Sequence, residues 1–397
     1  MPRECTRRSP SHESTPQVAD RAGEVLRVER VVLRRLAMPL VSPFRTSLGV
    51  EAARDVLLVQ MEGPDAVGWG ECVAMSEPLY SPEYVEGAHA VIRSHLLPRL
   101  QRRRGQLLAD EVAPLLSAVK GHQMAKAALE AAVLDADLRA AGVSMAWHLG
   151  GVRDRVGAGV SVGITATIDD LLETVAGHVE AGYLRIKLKV EPGWDVEPLR
   201  AVREHFGYGL ALQVDANAAY TLGDAGHLSK LDEFELVLLE QPLRDDDISG
   251  HAVLARKLRT PICLDESITS AAVALDAIDR GACSIINVKA GRVGGYLEAK
   301  RLHDACFERG VPLWCGGMLE TGIGRAANVA LASLPGFTLP GDISASDRYF
   351  RRDITEPFVL QAGHLMVPQG PGVGVTPDLE VIDEVTTFKE EIIWQAT

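Results

Sequence analysis

The sequence predicts a two-domain α/β protein: a parallel (β/α) barrel of the TIM type with an α+β capping domain in front of it. Two observations carry this reading. Short apolar runs recur near 158–163, 184–188, 210–214, 236–239, 261–264, 284–288, 311–315 and 337–341, separated by helix-forming stretches such as 171–181 and 295–309. A repeat of about 25 residues is the length of one strand–loop–helix–loop unit, and eight such strands fit a closed barrel, with a doubly wound open sheet as the alternative. The second observation is that residues 24–150 follow a different pattern, strands first and helices afterwards, which describes a separate α+β layer.

Taken in order, residues 25–33 and 56–61 are strand-like, and Gly68-Trp69-Gly70-Glu71-Cys72 reads as a third strand. Segments 82–96, 106–119 and 122–141 read as helices, the last because it is rich in Ala, Leu, Glu and Lys. Gly150-Gly151 marks the hinge into the barrel, which occupies 151–349, and residues 350–397 are expected to return and cover the first domain. Residues 1–23 carry Arg, Ser, Pro and Glu with no apolar stretch, so they read as a disordered tail and not as a secretory signal.

Bulk properties remove several function classes. A chain of 397 residues accommodates a barrel of roughly 250 residues and a second domain. The net charge of −13 argues against a nucleic-acid surface, which needs clustered Lys and Arg. No apolar run is long enough to span a membrane. Cysteines 5, 72, 263, 283, 306 and 315 are scattered without a CxxC pair, so a reduced, cytoplasmic protein is expected.

The chemistry is carried by spacing. Asp215, Glu240 and Asp265 stand 25 apart, each at the end of an apolar run, with Lys187 and Lys189 one unit before them and Lys289 one unit after. In a parallel barrel these are the C-terminal strand ends, where reacting groups gather. A single Asp there is more often a helix N-cap, and a single Lys a solvated charge, but five equivalent positions in register outweigh those readings. Three carboxylates suit a hard divalent cation such as Mg²⁺, and the absence of His or Cys at these strand ends argues against zinc. Lys187 and Lys189 share one strand face, so their like charges should lower the pKa of one of them. Strands 2 and 6 of a closed barrel are opposed, which sets lysines on both sides of the cation. That arrangement suits removal of a proton next to a carboxylate, with the enediolate charge stabilised by the metal.

Lys187-x-Lys189, Asp215-x-Asn217, Glu240-Gln241-Pro242, Asp265-Glu266-Ser267 and Lys289 together resemble the muconate-lactonising-enzyme subgroup of the enolase superfamily. Within it, Ile186-Lys-Leu-Lys, the stretch from Cys315 to Arg325 and Leu339-Pro-Gly-Asp-Ile-Ser-Ala-Ser346 are most similar to o-succinylbenzoate synthases and N-acylamino acid (N-succinylamino acid) racemases. The resemblance spans about residues 24–385. It implies Asp215, Glu240 and Asp265 as ligands of Mg²⁺, with Mn²⁺ or Co²⁺ able to substitute. It implies Lys189 and Lys289 as the acid/base pair, Lys187 assisting at the substrate carboxylate, and Asn217 and Glu266 as groups supporting the ligands from behind. Residues 44–47 and 75–80 would be mobile lid loops, and Arg45, Tyr80, Ser161, Arg292, Gly317, Met318 and Glu320 would contact a small carboxylate substrate. Arg292, three residues after the second lysine, tilts the reading towards a racemase that also dehydrates a cyclohexadiene carboxylate to o-succinylbenzoate for menaquinone synthesis. A dipeptide epimerase would be expected to show Asp-x-Asp after strand 8, where this chain has Asp342-Ile343-Ser344. A homo-oligomer is expected.

Two signals compete. Gly322-Ile323-Gly324-Arg325-Ala326-Ala327 fits G-x-G-x-x-A, with Asp342 some 20 residues on, but it sits in the seventh repeat and an insert separates it from its strand. A phosphate site on the loops after strands 7 and 8 is the better competitor there. Trp314 at a strand end reads as core before it reads as pocket.

Overall fold

The structure, a computed structural model, describes residues 26–103 and 106–394, so the expected tail at 1–23 lies outside the described residues. The capping domain is built on three strands, β1 (Arg30–Thr46), β2 (Gly49–Glu62) and β3 (Val67–Cys72), paired antiparallel. Helix α1 (Gln123–Ala141) packs across β3. The glycines of β3 explain how closely: a Cβ on Gly68 or Gly70 would stand 2.0 Å from a carbonyl oxygen of α1, so only glycine admits the helix backbone.

The barrel strands are β4 (Gly159–Val162), β5 (Arg185–Lys189), β6 (Leu212–Asp215), β7 (Leu239–Glu240), β8 (Ile262–Leu264), β9 (Ile285–Val288) and β10 (Leu313–Cys315), all parallel and in chain order. The eighth predicted strand forms no regular ladder. Residues 336–342, interrupted by Pro340, close the ring with scattered bonds: Thr338 N donates to Leu313 O, Asp342 N to Cys315 O, and Gly341 N to Gly157 O. Outside the strands run α2 (Ile168–Glu180), α3 (Val196–Phe206), α4 (Ile248–Ala255), α5 (Ala271–Asp279), α6 (Tyr296–Glu308) and α7 (Gly322–Ala332).

A last strand, β11 (Thr386–Ile393), pairs antiparallel with β1 and completes a four-stranded sheet in the order β11-β1-β2-β3. Leu36, Val56 and Leu58 of that sheet pack with Leu319, Ile323 and Tyr349 of the barrel side, so a hydrophobic cluster fixes the cap over the mouth. The segment expected to be a lid loop at 44–47 is the tip of a long β1–β2 hairpin, with Phe44 opposite Glu51 and a register shift between Pro39 and Phe44. Alternation is lost around Pro39 and Pro43, which hides the strand from pattern reading. Among the described residues no helix is long and apolar enough to cross a membrane.

Candidate active site

Lys189, Asp215 and Glu240 lie side by side, paired in register across β5, β6 and β7, and Asp265 follows directly on β8. The three carboxylates are buried to 1% exposure or less. Each is paired with a cation, Lys187 being shared by two of them. Lys187 Nζ stands 3.1 Å from both Asp215 Oδ2 and Glu240 Oε2, and Lys189 Nζ lies 2.6 Å from Asp215 Oδ2 and 2.6 Å from Asn217 Oδ1. Across the barrel Lys289 Nζ lies 2.8 Å from Asp265 Oδ2, while the Arg292 guanidinium binds Asp265 Oδ1. Asn217 passes the first group on to Glu266, Nδ2 to Oε1 at 2.8 Å. Asn287 Nδ2 donates to Glu240 Oε1 at 2.8 Å. Among the described residues no three of His, Cys, Asp and Glu converge on one point as a ready-made cage.

Local backbone helps to set the strand ends. Asn217 (φ 42°), Ala218 (φ 62°) and Gln241 (φ 37°) occupy the left-handed region just past β6 and β7. Gln241 then uses its amide as a brace: Oε1 accepts from Asp265 N (3.0 Å) and Ser267 N (3.2 Å), and Nε2 donates to Ser267 Oγ (2.7 Å).

Electrostatics follow from burial against pairing. Burial alone would raise the Asp215 carboxyl, but Lys189 and Lys187 outweigh it and hold it down to about 2. The same contest, with Lys289 and Arg292, holds Asp265 well below the usual carboxylate range. Glu240 goes the other way, pushed well above its usual range by burial and by the charge of Asp215. Burial and the charges of Asp265 and Asp215 push Glu266 up to about 8. The expected lowering of a lysine by its like-charged neighbour is overturned at Lys187. Burial lowers it, but Asp342, Glu240 and Asp215 together hold it well above its ordinary value. Sequence reasoning counted the two lysines and missed that three carboxylates surround one of them.

Above these groups, a cavity of about 300 Å³ lies between the hairpin tip, the 75–80 segment and the barrel mouth. Its walls include Lys187, Lys189, Lys289, Asn217, Ser161, Tyr80, Gly317 and Met318. Ser161 is 4% exposed and its Oγ has no partner, as a group kept for a ligand would be. Tyr80, from the capping domain, reaches Lys289 Nζ at 3.0 Å and Arg292 Nη1 at 3.2 Å. Arg292 sits behind it, donating to Ile268 O and Asn287 O. Arg292 is thus an expected contact that does not line the cavity, and two more lie elsewhere. Arg45 points to the rim, where it pairs with Glu191 at 3.1 Å. Glu320 is turned back into its loop, accepting from Met318 N (2.8 Å) and Asn328 Nδ2 (2.9 Å). Glu266, expected to support the ligands from behind, reaches the cavity only through Asn217. Trp314 is wholly buried beneath the site, with Lys187 Nζ 4.9 Å and Arg185 Cζ 5.0 Å from its ring centre.

Asp342 was not foreseen as a partner of Lys187. Its Oδ2 lies 2.5 Å from Lys187 Nζ and its Oδ1 accepts from Arg185 at 2.7 Å. The signal was available: Asp342 follows the eighth apolar run as Asp215 follows the third.

The N-terminus of α7, read above as a weak dinucleotide or phosphate signature, is filled from within. Gly322 N donates to Asp353 Oδ1, and Thr321 N and Gly324 N donate to Glu71. A phosphate would have to displace both carboxylates.

Opposed lysines around buried strand-end carboxylates define a barrel enzyme that moves a proton next to a carboxylate group. Residues 28–150 match the mandelate racemase / muconate lactonizing enzyme N-terminal domain and residues 170–381 the enolase C-terminal domain-like family, and the chain belongs to that family. It is 62% identical to an N-succinylamino acid racemase from Amycolatopsis sp. over 92% of this chain and 99% of that one. An o-succinylbenzoate synthase from Geobacillus kaustophilus is 47% identical over 91% of this chain and 97% of that protein. A crystal structure of an enolase-superfamily member from Listeria innocua superposes with a TM-score of 0.89 at 39% identity, over 93% of this chain and 100% of that one. Enzymes of this type are metal-dependent, and an oxygen-only donor set at Asp215, Glu240 and Asp265 fits a hard divalent ion.

Proposed function

We propose that the chain is an N-succinylamino acid racemase that also carries o-succinylbenzoate synthase activity, dependent on Mg²⁺, with Mn²⁺ or Co²⁺ able to replace it. The observation that carries this is the placement of Lys189 on β5 and Lys289 after β9, opposed strands of the ring, with the buried carboxylates between them. The names and extents of the relatives support the choice of substrate. Asp215, Glu240 and Asp265 would hold the cation, which when bound takes up their charge and draws electron density onto the substrate carboxylate.

The remaining work belongs to the chain. Lys187, fixed between Asp342 and Asp215, presents a permanent positive charge at the cavity floor for the substrate carboxylate. Lys189 and Lys289 each face the α-carbon from one side. One removes the proton, leaving an enediolate, and the other returns a proton to the opposite face; the net result is inversion with no change of composition. Asn217 and Tyr80 orient the two ammonium groups through their hydrogen bonds. Closure of the hairpin tip and the 75–80 segment keeps water from the carbanion. In the synthase reaction the same proton removal is followed by departure of the hydroxyl, which leaves as water with a proton returned by the lysine, and the cyclohexadiene becomes an aromatic ring.

A dedicated synthase is the second reading, because both reactions need the same first step. A dipeptide epimerase is less supported: Ser344 stands where a second acid is expected, and Asp342 is engaged by Arg185 and Lys187. We further propose a homo-oligomer acting on small carboxylates, without nucleic-acid or membrane partners. Incubating N-succinyl-L-phenylalanine and the cyclohexadiene substrate with metal-loaded enzyme tests the reading. Loss of optical rotation with the first supports a racemase, and turnover of the second alone would leave the dedicated synthase.

A further inference from the structure

Barrel helices α2 to α5 cap themselves. Thr167, Asp195, Asp247 and Ser270 each accept a bond from a backbone N–H of their own first turn. Helices α6 and α7 do not: Gly295 has no side chain and Thr321 makes no cap bond. Both receive carboxylates of the capping domain instead, beside Asp353 at Gly322 N of α7. Glu130 Oε1 of α1 accepts from Leu297 N at 3.0 Å. Glu71 of β3 accepts from Thr321 N (3.1 Å), Thr321 Oγ1 (2.6 Å) and Gly324 N (3.1 Å).

We propose that Glu71 is a positioning residue that sets how tightly the substrate is bound, by fixing how two walls of the cavity face each other. The proposal rests on the function read above. Glu71 stands four residues before Met75, where the 75–80 wall begins, and its carboxylate grips Thr321, two residues after Leu319 on the opposite wall. The gripped loop has little freedom to hold itself. Leu319 is strained at φ 58°, Glu320 ties Met318 N and Asn328 from inside and Asp353 takes Gly322 N, so Glu71 adds the fastening from the capping domain. The glycines of the G-x-G signature serve this seat. A Cβ on Gly324 would lie 2.9 Å from Glu71 Oε2 and from the Glu320 side chain, so only glycine lets both carboxylates lie against the helix start. A helix N-terminus that could serve an external anion is thereby given to the chain's own carboxylate. Glu71 touches neither Lys189 nor Lys289, so its loss should act on binding before chemistry.

The test compares metal-loaded wild-type enzyme with Glu71→Gln, which keeps the shape but turns an N–H toward Gly324 N. The KM for N-succinyl-L-phenylalanine should rise roughly tenfold while kcat stays within about threefold, and Glu71→Asp should recover part of the loss. Amide hydrogen exchange should quicken in peptides covering 316–324 and stay unchanged around 295–299, where Glu130 holds α6. Should Glu71→Gln not fold, Thr321→Val removes one bond only and should move KM in the same direction. An unchanged KM, with or without faster exchange, overturns the proposal and leaves Glu71 a structural staple. If wild-type enzyme does not racemise the substrate, the functional reading fails on its own, and the KM for the cyclohexadiene substrate then decides the positioning: a rise of roughly tenfold in Glu71→Gln upholds it and an unchanged value overturns it.

Discussion

Tyr80 and Lys289 come from different domains, yet the phenol oxygen lies 3.0 Å from the ammonium nitrogen, and that nitrogen stands 4.5 Å from the centre of the Tyr80 ring. The capping domain therefore completes one of the two proton-transfer groups as well as covering it. Tyr80→Phe keeps the ring and removes the hydrogen bond. Proton exchange from the enantiomer facing Lys289 should slow by about tenfold, with exchange from the other enantiomer little changed. Following each enantiomer separately in D₂O checks this, and equal slowing of both would contradict it.

Lys289→Ala should abolish racemisation, by about 10³-fold or more, and leave metal binding intact. The enantiomer facing Lys189 should still exchange its α-proton without inverting, since one side retains its base. Polarimetry and NMR on the same sample separate the two outcomes. Retained racemisation would rule out the two-lysine account.

Asp342 balances two buried cations, Arg185 at 2% and Lys187 at 4% side-chain exposure. Asp342→Ala would leave both without that carboxylate beneath the site. Removing one partner of a buried ion pair costs about 3–5 kcal/mol, so a loss of that order in urea denaturation is expected. A change below about 1 kcal/mol would place the balancing charge elsewhere.

Burial pushes Glu71 and Glu130 each up to about 7. An unfolded glutamate titrates near 4.3, so the folded state binds more protons between these values. The stability these groups contribute is present at low pH and is lost as pH rises through about 7. Melting temperature should therefore fall from pH 5 to pH 8, and Glu130→Gln should flatten part of that slope. A slope unchanged in the variant would contradict the assignment.

The strand-end set was legible because a parallel barrel turns sequence period into spatial register: Lys187, Lys189, Asp215, Glu240, Asp265 and Lys289 all come to one mouth. Trp314, an aromatic at a strand end and so read as core, is wholly buried. What failed to show was pairing across the closing seam. Asp342 meets Lys187 only because residues 336–342 return beside β4, and that segment lacks strand alternation. The outward turn of Arg45 was equally hidden, since it depends on Glu191, 146 residues away. The tip at 44–47 was expected as a lid loop, but the strand that runs into it past residue 33 was not read, because prolines interrupt its pattern and tertiary packing against the mouth overrides that local signal.

The most direct test of the central claim is α-proton exchange of N-succinyl-L-phenylalanine in D₂O, followed by NMR in the presence of Mg²⁺ and again after chelation. Two opposed lysines served by a carboxylate-held cation predict exchange with matching loss of optical activity, abolished by the chelator and restored by Mg²⁺, Mn²⁺ or Co²⁺. Exchange that persists undiminished without a divalent ion, or no exchange with one, would contradict it.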